Sequence, residues 1–292
     1  MDPPTARVNL LMAGGGVRLA AFVGALAAFR HMGVEVAAVA GASAGSIVGS
    51  FLARGWSVEQ MLSRLLETDF TQFKDISLRA FLLEGGLYSG NSFEQWMDRQ
   101  LEGATFRDLS LDLHVATVDL FGRCPFFFSR RTTPDIRVSR AVRCSMSIPW
   151  VWRALRQDEK LLADGQLVPW IAAGVERLRQ ESEGTHRRTI MLRIISEARL
   201  DLRAKRYLWP WDFAMVLLDA MLSAIDNQRV PGDLWSDTIL IDVGGTQNLQ
   251  FQLSREEKMR LFACGQDQAH RYFHKGAPKA RPEAGATGAS DR

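Results

Sequence analysis

The sequence predicts an α/β fold: a mainly parallel central sheet with helices on both faces, in a three-layer arrangement. Three observations carry this. Two apolar runs of strand length, residues 8–13 and 36–40, each lead into a glycine turn and then a helical stretch, and such alternation builds parallel sheets. The first of those stretches, residues 17–31, is apolar nearly all round, as a helix buried between layers must be. Further apolar runs at 160–163, 189–195 and 238–242 supply later strands.

Taken in order, residues 1–7 read as a flexible lead-in, 8–275 as a single domain and 276–292, rich in Ala, Gly and Pro, as a disordered tail. After the second strand a helix runs from Ser46 until Gly55 stops it. Ser57-Val-Glu-Gln60 is a capping box that starts a helix to Glu67. Residues 68–89 mix Phe70, Phe73, Phe81 and Leu82 with charges and show no clear period. Helices are expected over 91–101, 136–146 and 169–180, and a hairpin joins strands 111–118 and 125–128 through Phe121-Gly122. The apolar stretch 207–226 reads as a helix that covers a crevice, and Ser254-Arg-Glu-Glu257 caps a closing helix to His274.

Composition narrows the function classes. The chain has 292 residues, 47% apolar and 24% charged, with a net charge of only +3, which gives no reason to expect a nucleic-acid partner. Cys124, Cys144 and Cys264 are odd in number and widely spaced, so neither a disulfide framework nor a zinc site is expected, and a reducing, cytoplasmic setting is. No cluster has metal-ligand spacing, and no cofactor or metal is expected. The N-terminus lacks the order of a secretory signal, and no uncharged apolar run reaches the roughly 18–20 residues of a membrane span.

The chemistry centres on Gly41-Ala-Ser-Ala-Gly45. A strand, a tight Gly-flanked turn and a helix form the context of a nucleophile elbow: the glycines let strand and helix approach, and Ser43 stands at the tip. The string alone arises by chance in about one chain of this size in ten, so a mere packing turn stays open on this motif alone. The second glycine turn, Gly14-Gly15-Gly16, ends the preceding strand and so faces the same crevice. Its N–H groups could hold an oxyanion. A dinucleotide loop would need glycine at position 19, which is Leu19, and an acidic end to the second strand, where Gly41 stands. For a base, His270 and His274 lie on the closing helix and suit solvated or capping roles, while His31 and His114 read as structural. Asp164-Gly165 ends a short apolar strand, so its carboxylate can reach the crevice.

Together, Gly14-Gly-Gly-Val-Arg18, Gly41-Ala-Ser-Ala-Gly45 and Asp164-Gly165 resemble the three motif blocks of patatin-like phospholipases, in their order and approximate spacing. Residues 141–149 resemble the segment before the family's aspartate, and 251–265 its closing helix. The resemblance implies a lipid acyl hydrolase with a Ser-Asp dyad. Ser43 carries over as nucleophile, Asp164 as base and Gly14, Gly15 and Gly16 as oxyanion hole, with Arg18, Gly41, Gly45 and Gly165 in support. The implied substrate is a phospholipid or other fatty-acyl ester met at a peripheral membrane surface. A thioesterase or short-ester carboxylesterase, and a non-catalytic lipid-binding module, are the alternatives. Two positions depart from the pattern: Leu19 stands where the family has glycine, and Gln166 where it has glycine or alanine. A free aspartate, with a pKa of about 3.9, is a weak base, and apolar neighbours such as Leu161, Leu162 and Val168 are expected to strengthen it by desolvation. Trp150 and Trp152 with Arg153 and Arg156, and the arginines at 130, 131, 137, 140 and 143, read either as a lipid-facing surface or as core packing and a solvated face.

Overall fold

The computed structural model describes residues 6–180, 187–196, 209, 212–214, 216, 217, 220, 221, 232–247 and 250–275. The chain opens with β1 (Ala6–Met12), α1 (Leu19–His31), β2 (Val34–Ala42) and α2 (Ala44–Ala53), followed by α3 (Val58–Glu67), α4 (Leu78–Leu83), β3 (Gly86–Tyr88) and α5 (Asn91–Gln100). Next come β4 (Asp112–Asp119), β5 (Cys124–Phe128), α6 (Val138–Ser145), β6 (Trp150–Trp152), β7 (Leu155–Gln157) and β8 (Lys160–Asp164). The described elements close with α7 (Ile171–Gln180), β9 (Thr189–Ile195), α8 (Gly232–Trp235), β10 (Thr238–Asp242) and α9 (Arg255–Lys275).

Several boundaries differ from expectation by one or a few residues, two of them as follows. Strand β1 begins at Ala6, inside the expected lead-in, because Ala6 and Arg7 pair with Val34 and Glu35 of β2. Helix α2 begins at Ala44, directly after Ser43, and not at Ser46. Both capping boxes form: Ser57 and Gln60 exchange bonds at the start of α3, and Ser254 and Glu257 do so at the start of α9. The expected tail and most of 207–226 lie outside the described residues.

The main sheet runs β10-β9-β1-β2-β4-β8-β7, with β5 also on β4. Its first five strands are mutually parallel, as βαβ crossovers require. Strand β4 then decides the geometry of the site. Strand β2 pairs with residues 112–116 of β4, its last residue Ala42 opposite Ala116. Strand β8 pairs antiparallel with residues 117–119, its last residue Asp164 opposite Thr117. Strand β5 pairs with residues 115–119 and takes the other edge. Thus β2 and β8 share one edge of β4 and end on it tail to tail, at neighbouring positions.

Alternation along the strands fills both faces. Leu10, Met12, Val39, Leu113 and Val115 join the larger core with α1, α2, α5 and α6, while Leu11, Ala38, Ala40 and Ala42 join the smaller one under α7, with Trp170 and Leu178. Helix α9 closes the larger side by crossing α1 at close range. A Cβ on Gly24 would overlap the carbonyl of Phe262, and one on Gly265 the carbonyl of Ala21, so both glycines are needed for that contact.

His114 on β4 is 2% exposed. Burial pushes its imidazole down to about 4, helped by Arg177 and Arg131, so it is neutral in the folded chain at pH 7. Between about pH 4 and 6.5 the unfolded chain binds a proton there that the folded chain does not. Stability is therefore expected to fall as the solution is acidified through that window, by roughly 1 kcal/mol per pH unit. Urea titrations of His114→Gln against wild type at pH 7 and pH 5 check this: the wild type should lose more on acidification than the variant.

Candidate active site

Ser43 sits at the turn between β2 and α2 with φ 49° and ψ −122°, a left-handed conformation that non-glycine residues take only where surrounding structure enforces it. Three contacts enforce it. A Cβ on Gly41 would stand 2.6 Å from the carbonyl of Gly45, and one on Gly45 would overlap the carbonyl of Met12 at the end of β1. The Ser43 N–H donates to Ser145 Oγ (2.9 Å), and that hydroxyl donates to the Ala116 carbonyl on β4 (2.6 Å). One serine at the end of α6 thus pins the turn to the sheet, using its single donor and an acceptor lone pair.

The glycine turn lies against this elbow, since the Met12 carbonyl that Gly45 approaches is two residues before Gly14. Gly16 has φ 56°. Arg18 is 2% exposed and its Nε donates to the Gly15 carbonyl (2.9 Å), so its guanidinium holds the turn's shape from within. Among the described residues, no acceptor takes the N–H of Gly14, Gly15 or Gly16. Gln166 fills space that Gly14 leaves: a Cβ there would stand 2.5 Å from Gln166 Cγ. Its side-chain oxygen accepts from Trp170 Nε1 (2.7 Å). The departure at 166 is therefore built in, as a wedge between the glycine turn and Trp170.

Asp164 is fully buried. Its N–H donates to the Ser147 carbonyl (3.0 Å), and one carboxylate oxygen accepts from the Gln166 N–H (2.8 Å). A Cβ on Gly165 would overlap the Ala116 carbonyl, which lets the chain turn hard against β4. Behind Ser147 stands Arg143, also fully buried, whose guanidinium donates to Ser147 Oγ (2.6 Å) and to the carbonyls of Ser89 (2.6 Å), Gly90 (3.1 Å) and Arg153 (3.1 Å). Burial pushes it down to about 10, so it stays charged at neutral pH. The end of α6 therefore fixes both sides of the site, Ser145 holding the elbow and Arg143 with Ser147 the end of β8.

Ser43 opens on a cleft of about 540 Å³, its open mouth included, walled by Leu19, Ile47, Phe73, Phe93, Trp96 and Trp152 among others. The lining is almost wholly apolar. Leu19, the other departure, is a wall of this cleft. Trp152 is buried in it while Trp150 stays half-exposed, so the two tryptophans part company.

The histidines lie elsewhere. His270 packs edge-on against His31, 5.1 Å between ring centres, and stacks on His274. His31 ends α1, and twelve residues at 1.5 Å each put it about 18 Å from the glycine turn. His114 faces Arg177 and Arg131 on the α7 side of the sheet. The basic residues are engaged locally: Arg130 with Asp112, Arg137 with Asp98, Arg140 with Glu94 and Arg153 with Glu84. Among the described residues, no group of three or more His, Cys, Asp or Glu side chains could hold a metal, and no helix is long and apolar enough to cross a membrane.

The sequence profile of Patatin-like phospholipase matches residues 10–172, more than half of the chain and a span that includes both glycine turns, Ser43 and Asp164. The chain belongs to the patatin-like phospholipase family. It is 29% identical over 169 residues to Uncharacterized protein R571 of Acanthamoeba polyphaga mimivirus, covering 54% of this chain and 57% of that one. It is 25% identical over 183 residues to Triacylglycerol lipase 4 of Saccharomyces cerevisiae, covering 56% of this chain and 20% of the lipase. The chain thus spans only part of either relative. Among solved structures, VipD from Legionella pneumophila superposes with a TM-score of 0.61 at 15% identity, covering 92% of this chain and 67% of VipD, which is a likeness of fold.

Proposed function

We propose that this patatin-like protein is a lipid acyl hydrolase in which Ser43 is the nucleophile and Asp164 its base. The observation that carries the reading is the tail-to-tail ending of β2 and β8 on one edge of β4, with Ala42 opposite Ala116 and Asp164 opposite Thr117. The strand ends that carry serine and aspartate come from distant parts of the chain and meet at neighbouring positions on β4, with Ser43 at the wall of an apolar cleft. Family membership supports the reaction class.

In this reading the acyl chain lies in the cleft and the ester carbonyl sits between Ser43 and the glycine turn. Ser43 Oγ attacks the carbonyl carbon while Asp164 takes the hydroxyl proton. The carbonyl oxygen becomes an oxyanion, and the N–H groups of Gly14, Gly15 and Gly16 donate to it. The intermediate collapses, the proton passes from Asp164 to the departing alkoxide, and the alcohol leaves an acyl-Ser43 ester. Water then attacks that ester, giving its proton to Asp164, and the free fatty acid departs as Ser43 regains the proton. Ser43 and Asp164 end the cycle in the protonation states they began with, the alcohol carrying away the serine proton and water replacing it, so neither metal nor histidine is required by the balance.

The apolar cleft favours a fatty-acyl ester over a small polar one, because burying a methylene contributes about 0.8 kcal/mol. The test is product analysis: purified protein incubated with phospholipid vesicles should release free fatty acid. Release from short soluble esters or thioesters but not from phospholipid would move the substrate class to the carboxylesterase or thioesterase reading.

A further inference from the structure

The segment leading from the cleft wall to β3 carries its apolar side chains outward. Ile76, Leu78, Leu82 and Leu83 are 75, 70, 66 and 78% exposed and Phe81 48%, and Ala80 is the one buried residue of α4. A helix that packed on the protein would turn such residues inward; here Leu78, Phe81, Leu82 and Leu83 meet solvent together. Trp150 adjoins them. Its N–H donates to the carbonyl of Gly85 just beyond α4 (3.1 Å), its φ is 68°, and its side chain is half-exposed. Single exposed apolar residues are ordinary, but a contiguous group marks an interaction surface.

This knob is displayed on a fixed base. The Ser77 hydroxyl caps α4, the Ser77 N–H donates to the Leu87 carbonyl, and the Ser89 N–H donates to the Asp75 carbonyl. The Asp75 carboxylate turns inward and accepts from Ser89 Oγ (2.7 Å) and from the N–H groups of Gly90 (2.8 Å) and Ser92 (3.0 Å). Those bonds outweigh the upward push of burial and leave its carboxyl below the ordinary range. Glu84 is held between Arg79 (3.4 Å) and Arg153 (2.8 Å). Both acidic groups of the segment are thus engaged, while Arg79 and Lys74 flank the apolar residues, with Lys74 over the ring of Phe251 at 5.0 Å.

Position names the occupant. Phe70 and Phe73, just upstream of the knob, line the cleft, and so do Ile148 and Trp152 on either side of Trp150, together with Phe251. Two of the chain segments that wall the cleft are thus the ones that carry the exposed group. We propose that Ile76, Leu78, Phe81, Leu82, Leu83 and Trp150 form an interfacial anchor that seats the protein on a phospholipid bilayer with the cleft mouth against the lipid. This rests on the reading of Ser43 as an acyl hydrolase and names how that site meets its substrate. Leucines and a tryptophan set among basic side chains match the chemistry of the acyl–headgroup boundary. An acyl chain lifted from the bilayer then enters the cleft with little exposure to water.

The test separates docking from catalysis by using the Ser43→Ala chain, which makes no product. Its flotation with phosphatidylcholine vesicles containing a minor fraction of phosphatidylglycerol is compared with the same chain carrying Leu78→Ser, Leu82→Ser and Leu83→Ser. These leucines are largely exposed, so folding should be little changed, which circular dichroism checks. The parent should float with the vesicles and the triple variant should partition at least tenfold less. With Ser43 intact, the three substitutions should lower fatty-acid release from vesicles similarly while leaving turnover of a soluble ester within twofold. Equal flotation of parent and variant, or a parent that does not bind vesicles, overturns the anchor. So does a parent that sizes as a dimer which the substitutions dissociate, with vesicle partition unchanged, since the occupant is then a second copy. Patch-dependent flotation in a protein that hydrolyses no ester upholds the surface and removes the acyl hydrolase reading.

Discussion

Asp164→Asn is expected to lower kcat/KM on a soluble ester by at least the 10²–10⁴-fold, roughly, that general-base catalysis supplies, with the fold intact. Asparagine keeps the size of the side chain, and the acceptor for the Gln166 N–H survives as the amide oxygen. On the proposed mechanism, what is lost is the group that takes the Ser43 proton. His270→Ala and His274→Ala should change the rate little, because those rings pack with one another and with His31 at the far end of α1. A dead histidine variant beside an active Asp164→Asn would call for a Ser-His arrangement instead.

Ser43→Ala is expected to abolish acyl hydrolysis, by about 10⁴-fold or more, as loss of a nucleophile does in serine hydrolases. Stability should not fall with it. The Ser43 backbone N–H that bonds Ser145 Oγ is kept, and alanine at a strained left-handed position is no worse placed than serine. Steady-state release of fatty acid and a urea midpoint measured on the same preparation separate the two effects. Turnover within tenfold of wild type would remove Ser43 from the mechanism.

Much of this architecture could be read from the chain because several signals agreed there. The glycine turns, the apolar strands leading into them and the capping boxes at Ser57 and Ser254 are local, and each formed where local chemistry pointed. Register was harder. Nothing local says that β2 and β8 end on the same edge of β4, although that arrangement brings Ala42 and Asp164 to neighbouring positions. Ser145 was visible only as part of a resembling segment. Its bridge from the Ser43 N–H to the Ala116 carbonyl joins residues 102 and 29 positions away, beyond the reach of any periodicity.

Other features were illegible for stated reasons. Strands β3, β6 and β7 are three residues each, too short for a period to show. Helix α4 defied pattern reading because its leucines face outward, the reverse of the rule used to find helices. The arginines between 130 and 156 suggested a surface for anionic lipid, but their partners Asp98, Asp112, Glu94 and Glu84 come from other elements. A charge run in sequence does not reveal what neutralises it in space. The two departures at 19 and 166 were likewise ambiguous until packing placed Leu19 in the cleft wall and Gln166 against Gly14 and Trp170.

Covalent labelling with a fluorophosphonate, read by peptide mass spectrometry, tests the Ser43–Asp164 pairing most directly, because it reports nucleophile and activation without any choice of lipid. The wild type should carry one phosphonyl group on the peptide containing Ser43, Ser43→Ala none, and Asp164→Asn the same adduct formed at least a hundredfold more slowly. An adduct on another serine, or labelling of Ser43 at an unchanged rate in Asp164→Asn, would contradict the pairing.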